Sequence, residues 1–209
     1  MQIIIPIHGG PEDYVRDQAH RRVARPEVCP NCREPGQFDC HGYYDRYVSA
    51  SKGRDSILIS VRRFLCQLCR RTTSMLPDFA QPHRLVATDT VSQYLGGIRS
   101  GDGVATWEHL LESYEDRFEA RLPETWHALS SAYSIRDLSN VAECMWTGAC
   151  QYFGDARQFT AQFAHDLGMT VFGIYKCHRP MGNLQIHTPD SFPGVRDPPY
   201  FAGPHDNTR

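Results

Sequence analysis

The sequence contains no segment suited to a membrane. No apolar run approaches the roughly 18 residues that a membrane helix needs, and the N-terminus lacks the charged and apolar regions of a signal peptide. We therefore expect a cytoplasmic protein that does not contact a membrane. In that reducing compartment its eight cysteines would persist as thiols or metal ligands rather than as a disulfide framework.

Familiar catalytic patterns are also missing. The sequence has no Gly-rich phosphate loop and no nucleophile elbow, and no run of strands after residue 77 could hold the three acids of a phosphoryl-transfer site. The spacing of the later cysteines and histidines matches no mechanism, and buried helical cysteines explain it more simply. These residues are Cys144, Cys150, Cys177, His165, His178 and His187. We expect a protein that is not an enzyme.

Charge is distributed unevenly along the chain. The net charge is −2, but residues 1–77 hold 12 Lys and Arg against 8 Asp and Glu, while residues 78–209 hold 10 against 16. A Zn²⁺ ion with four thiolates would lower the charge of the front part further. Any attraction for nucleic acid is therefore local and depends on where the arginines lie.

The most specific pattern is a pair of Cys-x2-Cys knuckles of identical spacing. Paired knuckles present four thiolates to one tetrahedral ion, which predicts a structural zinc site. The predicted ligands are Cys29, Cys32, Cys66 and Cys69. Closed coordination leaves no position for water or substrate, so the metal would be a scaffold and not a catalyst.

Cys40 and His41 are a local competitor as a ligand pair. Adjacent residues in a strand project to opposite faces, so both cannot easily reach one ion. A strand cysteine beside a surface histidine is the simpler interpretation.

Residues 1–77 carry the signals of a small zinc ribbon. Apolar side chains alternate with period two on either side of a turn at residues 51–55, which predicts an antiparallel hairpin. A third strand can follow the second knuckle, and a short strand and a connector precede the first. The predicted strands are residues 2–7, 37–50, 57–65 and 71–76.

Beyond Pro77 the apolar period changes from two to about 3.6, which indicates helices. Ser134-Ile-Arg-Asp137 resembles a capping box that opens one of them. We predict an α+β protein in which a small N-terminal zinc ribbon, an antiparallel hairpin plus a third strand, is followed by an all-helical domain. The predicted parts are the ribbon at 1–77, the helices at 78–180 and a Pro-rich, disordered tail at 181–209.

Basic residues lie along the hairpin and the second knuckle, interleaved with tyrosines and a phenylalanine. Such a mixture suits phosphate contacts beside aromatic platforms for bases. A solvated ribbon surface would have the same composition, and the two interpretations stay open. The basic residues are Arg46, Lys52, Arg54, Arg62, Arg63, Arg70 and Arg71.

Residues 160–179 fit the spacing of a helix-turn-helix. Ala164 would lie where two helices touch, Gly168 would form the turn, and Ile174 would anchor a second helix that runs from about residue 170 to residue 179. That helix would present residues such as Lys176 and Arg179 to a major groove. A purely structural helical hairpin fits the same pattern.

The front of the chain resembles a bacterial family of uncharacterised zinc-ribbon proteins, which is similar to the N-terminal zinc-binding modules of insertion-sequence transposases. The resemblance implies a DNA-binding ribbon, often followed by a helix-turn-helix, in proteins associated with mobile elements. The motifs that carry it are Ile3-Ile-Ile-Pro6, Cys29-Pro-Asn-Cys32, His41-Gly-Tyr-Tyr-Asp-Arg46, Val61-Arg-Arg-Phe-Leu-Cys66, Cys69-Arg-Arg-Thr72 and Leu76-Pro-Asp-Phe79.

Transposases also carry a long catalytic domain with three acidic metal ligands, for which this sequence offers no counterpart. We therefore expect a non-catalytic zinc-ribbon protein that binds DNA, with phosphate contacts from the ribbon. An adaptor that docks on a larger nucleic-acid-processing complex is the alternative, with the acidic helical part as a candidate surface for a protein partner. A transposase remnant is a third interpretation.

Overall fold

The computed structural model describes residues 1–51, 55–135 and 139–173, and it confirms the α+β class. The strands are β1 (Gln2–Ile5), β2 (Phe38–Ser49), β3 (Ser56–Cys66) and β4 (Thr72–Pro77). The helices of these ranges are α1 (Pro11–Arg16), α2 (Thr88–Leu95), α3 (Asp102–Glu119), α4 (Leu122–Tyr133), α5 (Ala142–Phe153) and α6 (Ala156–Leu167), with a 3-10 turn at Ala19–Arg22. None of these helices is long and apolar enough to cross a membrane.

The four strands form one sheet in the order β1-β4-β3-β2. β2 and β3 make the predicted hairpin, and β3 also pairs antiparallel with β4, the predicted third strand. β1 pairs in parallel with β4, with Ile3 beside Met75. The parallel pairing was not predicted, and it fixes the first residues of the chain against the strand that follows the second knuckle.

Alternation along β3 gives the sheet two apolar faces. Ile59 and Val61 are buried on one face with Leu76 and Phe79. Phe64 and Cys66 are buried on the other face. That second cluster also contains Phe38, Met75 and Cys29, with Cys32 and Cys69 packed against it. Two candidate metal ligands, Cys29 and Cys66, are therefore buried with their apolar neighbours, and the other two, Cys32 and Cys69, are half-buried.

The helices after β4 enclose a larger apolar core. Trp146 of α5 lies at its centre, with ring centroids 5.5 Å from Phe118 and 5.5 Å from Phe159 in edge-to-face arrangements. Leu111 of α3 and Leu129 of α4 are fully buried in the same cluster. Most apolar positions of these helices are thus core positions, whereas Ile98, Trp126 and Val141 are 51%, 41% and 55% exposed.

Polar contacts join the sheet side of the molecule to the helices. Arg157 of α6 forms an ion pair with Asp89 of α2 and donates to the carbonyl oxygen of Gly9 over 2.6 Å. The buried Gln81 amide donates to Thr88 over 2.9 Å and to Thr160 over 3.0 Å. The predicted ribbon and helical parts share an interface, and their division at residue 77 stays a prediction.

Ser134 does not open a helix as predicted. It ends α4 in a left-handed conformation with φ 59°. Among the residues that the structure describes, the next helix begins at Ala142, after an extended Val141, and residues 136–138 lie outside the described ranges. The capping-box pattern is local, and a serine that tolerates the left-handed region can end one helix as readily as it begins another.

The second helix of the proposed helix-turn-helix does not begin near residue 170. The first helix is present as α6, and Gly168 follows it in the left-handed conformation that the turn requires. Thr170 and Gly173 then pair as a tight turn, and Thr170 and Val171 are buried and do not face outward. The residues from 174 onward, including the predicted tail, lie outside the described ranges.

Candidate metal centre and nucleic-acid interface

The four predicted ligands meet at one point. All four Sγ atoms lie within 4.8 Å of one another. The Sγ atoms of Cys29 and Cys69 are 3.6 Å apart, and those of Cys32 and Cys66 are 3.8 Å apart. Four sulfurs around a tetrahedral ion at about 2.3 Å would be separated by about 3.8 Å. The donor set therefore fits a tetrahedral thiophilic metal, and its spacing is far too long for disulfides.

The two knuckles have the same backbone geometry. In the first, the N–H of Arg33 donates to the carbonyl of Cys29 over 2.8 Å. In the second, the N–H of Arg70 donates to the carbonyl of Cys66 over 3.0 Å. Arg33 and Arg70 each follow the second cysteine of a knuckle, and both have a positive φ, 66° for Arg33 and 56° for Arg70. This shared turn directs both thiols of each knuckle toward one point.

Hydrogen bonding and burial act differently on the thiols. Burial opposes ionisation of Cys69, but the backbone N–H of Arg71 and the side chain of Asn31 stabilise its thiolate and lower its pKa to about 6. Burial raises the pKa of Cys29 to about 12. A metal bound by four thiolates would therefore have to displace the proton of Cys29.

The arginines of β3 are held against their neighbours. The Arg62 guanidinium lies 4.7 Å from the ring centroid of Tyr43, donates to the hydroxyl of that tyrosine and donates to Sγ of Cys40 over 2.8 Å. Arg63 donates to the hydroxyl of Thr72 over 3.3 Å. Both side chains are half-buried, so they present only part of their guanidinium groups to a ligand.

Arg70 and Arg71 are exposed immediately after the second knuckle. The backbone of Arg71 is fixed, because its carbonyl accepts a hydrogen bond from the N–H of Cys66 over 3.0 Å. The metal site thereby determines where these two side chains leave the protein. They are the predicted nucleic-acid residues with the most accessible charge among those described.

Arg46 lies elsewhere, between the sheet and the segment after β4. Its Nη2 donates to the carbonyl oxygens of Gln81, over 3.1 Å, and Arg84. Burial lowers the pKa of this guanidinium. The structure therefore separates Arg46 from the arginines at the knuckles. Four other predicted nucleic-acid residues, Lys52, Arg54, Lys176 and Arg179, lie outside the described ranges.

Cys40 does not join the four-thiol cluster. It is exposed, and its Sγ accepts from Arg62 and, over 3.8 Å, from Arg25. The pairing of β2 with β3 shifts register between Cys40 and Tyr43, where Gly42 has a φ of 78°. Cys40 and His41 therefore lie at a β-bulge, outside the predicted metal site.

The sequence did not predict an open cleft that lies next to Arg46. Its volume is about 360 Å³, and it opens between β1, β2 and the segment after β4. The residues that line it are Gln2, Tyr44, Arg46, Tyr47, His83, Arg84 and Leu85. No spacing in the sequence links Gln2 to His83, because the cleft depends on the unpredicted parallel pairing of β1 with β4. The cluster of tyrosines around Arg46 in β2 was the only feature of the sequence that could have indicated a binding site here.

Comparison with known proteins gives one finding. No curated protein and no solved structure matches the chain. A family model described as a domain of unknown function, DUF6431, matches residues 29–112. The match begins at the first cysteine of the first knuckle, contains both knuckles and the sheet strands β2 to β4, and continues through α2 into α3. Over these residues the chain is similar to DUF6431.

Proposed function

We propose that Cys29, Cys32, Cys66 and Cys69 bind one structural Zn²⁺ ion. The support is the distance between the sulfurs, together with the preference of four thiolates for zinc in a closed tetrahedral site. The ligands lie among buried apolar residues, so the ion would fix the knuckles against the sheet and supply free energy of folding. Four reduced thiols fit a protein of the cytoplasm.

On that scaffold we propose a non-catalytic DNA-binding surface. The observation that carries this proposal is the placement of exposed Arg70 and Arg71 directly on the backbone of the second knuckle. Arginines on a rigid turn reach phosphate oxygens with little loss of conformational freedom. Tyr43, 41% exposed with Arg62 stacked on it, offers an aromatic surface close by. Contacts of this type fix the position of a protein on the DNA backbone but do not read the base sequence.

The test is duplex binding measured against salt concentration, by fluorescence anisotropy with a random labelled duplex. We expect affinity to fall linearly on a logarithmic plot as salt rises. Arg71→Gln should lower affinity about fivefold to tenfold at 0.1 M salt and reduce the slope by about 0.9, because one phosphate contact is lost. Absence of binding by the wild-type protein at low salt would contradict the proposal.

Arg117→Gln is the matched control for that experiment. Arg117 is also an exposed arginine, but it lies near the end of α3 and away from the knuckles. The substitution makes the same change in net charge and should alter affinity by less than about twofold, because separated surface charges are screened. Equal losses in the two variants would show that only net charge matters.

A protein-docking adaptor is the second candidate, and exposed apolar residues on the knuckles favour it. Leu68 is 64% exposed within the second knuckle, and Val28 is 41% exposed immediately before the first. Apolar side chains at the tip of a rigid turn suit a protein surface more than a phosphate backbone. Leu68→Ser separates the two candidates, because it should leave duplex affinity unchanged and weaken an adaptor contact.

The association with mobile elements is part of the same proposal. It rests on the resemblance of the knuckle and strand motifs to transposase zinc-binding modules. A recombinase or transposase gene beside the coding sequence in several genomes would support it, and consistently unrelated neighbours would contradict it.

A further inference from the structure

The cleft between β1, β2 and the segment after β4 has the chemistry of an anion site. Among its lining residues are two arginines, one histidine, two tyrosines and a glutamine, and none is acidic. Its volume of about 360 Å³ falls within the range of ligand pockets and would admit a phosphate with part of its attached sugar. A cleft lined by one sign of charge concentrates ligands of the opposite sign.

Arg46 is the residue that carries the argument. Its Nη2 donates hydrogen bonds to the carbonyl oxygens of Gln81 and Arg84, and Tyr44 is a further neutral polar neighbour. Within residues 1–51, 55–135 and 139–173, no carboxylate forms an ion pair with it. A charge that is largely removed from water normally has a counter-ion. The described part of the chain supplies it with neutral acceptors only, so a bound anion would complete its surroundings.

The other side of the cleft is also fixed in place. Arg84 donates to the carbonyl of Phe172 over 3.3 Å and lies 5.2 Å from the ring centroid of Tyr114, so its position is set by the helical core. His83 has a φ of 57°, in the left-handed region that a non-glycine residue rarely adopts.

We propose that this cleft binds a phosphate group, with Arg46 and Arg84 as its charge partners and the exposed Tyr47 at its rim. In the intact protein the phosphate would come from the DNA backbone, a source that rests on the proposed function. The cleft would then be a second contact, remote in sequence from the knuckle arginines, and it would engage both the sheet and the helices. A free phosphate compound is the other source of the same chemistry.

Gln2→Glu is the sharpest variant for testing this proposal. Gln2 lines the cleft, and its amide donates to the Tyr44 hydroxyl over 3.4 Å. A carboxylate has the same shape and can accept a hydrogen bond from that hydroxyl, so the fold should persist while the cleft gains a negative charge. Gln151→Glu, on the exposed face of α5, makes the same charge change outside the cleft.

The experiment measures two probes against the full-length chain: a random labelled duplex by fluorescence anisotropy and inorganic pyrophosphate by calorimetry. We expect Gln2→Glu to lower duplex affinity about tenfold or more through like-charge repulsion. Gln151→Glu should change it by less than about twofold. Arg46→Gln should reduce the salt slope by about 0.9. Thermal melting of each variant confirms that it is folded.

The outcomes separate this inference from the proposed function. If Gln2→Glu and Arg46→Gln both bind the duplex with wild-type affinity, the cleft is not a DNA contact. DNA binding by the knuckle arginines is not affected by that result. A second outcome is that the wild-type protein binds pyrophosphate, that Gln2→Glu weakens this binding, and that no form binds the duplex. This outcome supports the phosphate site and overturns the DNA function. Wild-type protein that binds neither probe overturns both.

Discussion

Asp78 carries a carboxyl group that the fold buries immediately after β4. Burial raises its pKa to about 7, although Arg157 opposes this shift from 3.9 Å. One of its oxygens, Oδ1, has no hydrogen-bond partner. Ionisation of the Asp78 carboxyl group is therefore unfavourable in the folded protein, and Arg157 of α6 is the cation that partly offsets its cost.

This environment makes stability depend on pH. Because the pKa of Asp78 is higher in the folded than in the unfolded chain, the folded state binds the proton more tightly and loses stability as pH rises from about 4 to about 7. Asp78→Asn should remove this loss. Relative to wild type, the variant should gain about 2 kcal/mol in free energy of unfolding between pH 5 and pH 8, measured by urea denaturation.

Asp116→Asn is the control, because Asp116 is exposed on α3. Its difference from wild type should be the same at both pH values within about 0.5 kcal/mol. A pH-independent difference for Asp78→Asn would show that burial does not perturb this carboxyl group.

At the scale of elements, α6 is the helix that links distant parts of the chain. Arg157, near its first turn, pairs with Asp89 of α2 and donates to the carbonyl of Gly9. Thr160, one turn later, accepts from the buried Gln81 over 3.0 Å. These contacts connect the loop before α1, α2 and the segment after β4 to one helix.

Arg157→Gln should therefore destabilise the whole fold. Removal of one partner from a half-buried ion pair leaves Asp89 and Asp78 without their counter-ion, and we expect a loss of about 2–4 kcal/mol in the free energy of unfolding. Urea denaturation with a single transition is the measurement. A loss below about 0.5 kcal/mol, the range of ordinary surface substitutions, would mean that α6 is attached by apolar packing alone.

The sequence predicted these elements to the extent that their signals are local. Period-two alternation identified β2 and β3, and equal Cys-x2-Cys spacing identified the four thiols that the structure brings together. The parallel pairing of β1 with β4 joins residues about 70 positions apart and has no local signal. The cleft at Arg46 was missed for the same reason, since it forms only when that pairing exists.

The helical errors have a different cause. Ala164 and Gly168 were placed correctly at a helix and its end, but the same pattern fits a turn that is followed by buried residues. Val171 and Phe172 are drawn into the core, Phe172 with its ring 5.9 Å from that of Tyr114. Tertiary packing of two apolar side chains therefore decided the conformation after Gly168, against the expected helix.

At the scale of the whole molecule, each part of the fold has a separate task. The metal centre would fix the knuckles, and the sheet carries them. α1 and the segment after β4 cover the other face of the sheet, and the helical core positions Arg84. The arginines at the knuckles and those at the cleft are therefore both attached to the four-stranded sheet and its flanking segments. The placement of the knuckle arginines depends on whether the four thiols hold zinc.

Zinc content with X-ray absorption at the zinc edge is the most direct measurement. For protein purified under reducing conditions we predict one zinc ion per chain and four sulfur neighbours at about 2.3 Å. Cys66→Ser should lose the metal, while Cys40→Ser, which changes the exposed thiol outside the cluster, should retain it. A zinc content of zero, or a coordination shell with fewer than four sulfurs, would contradict the account.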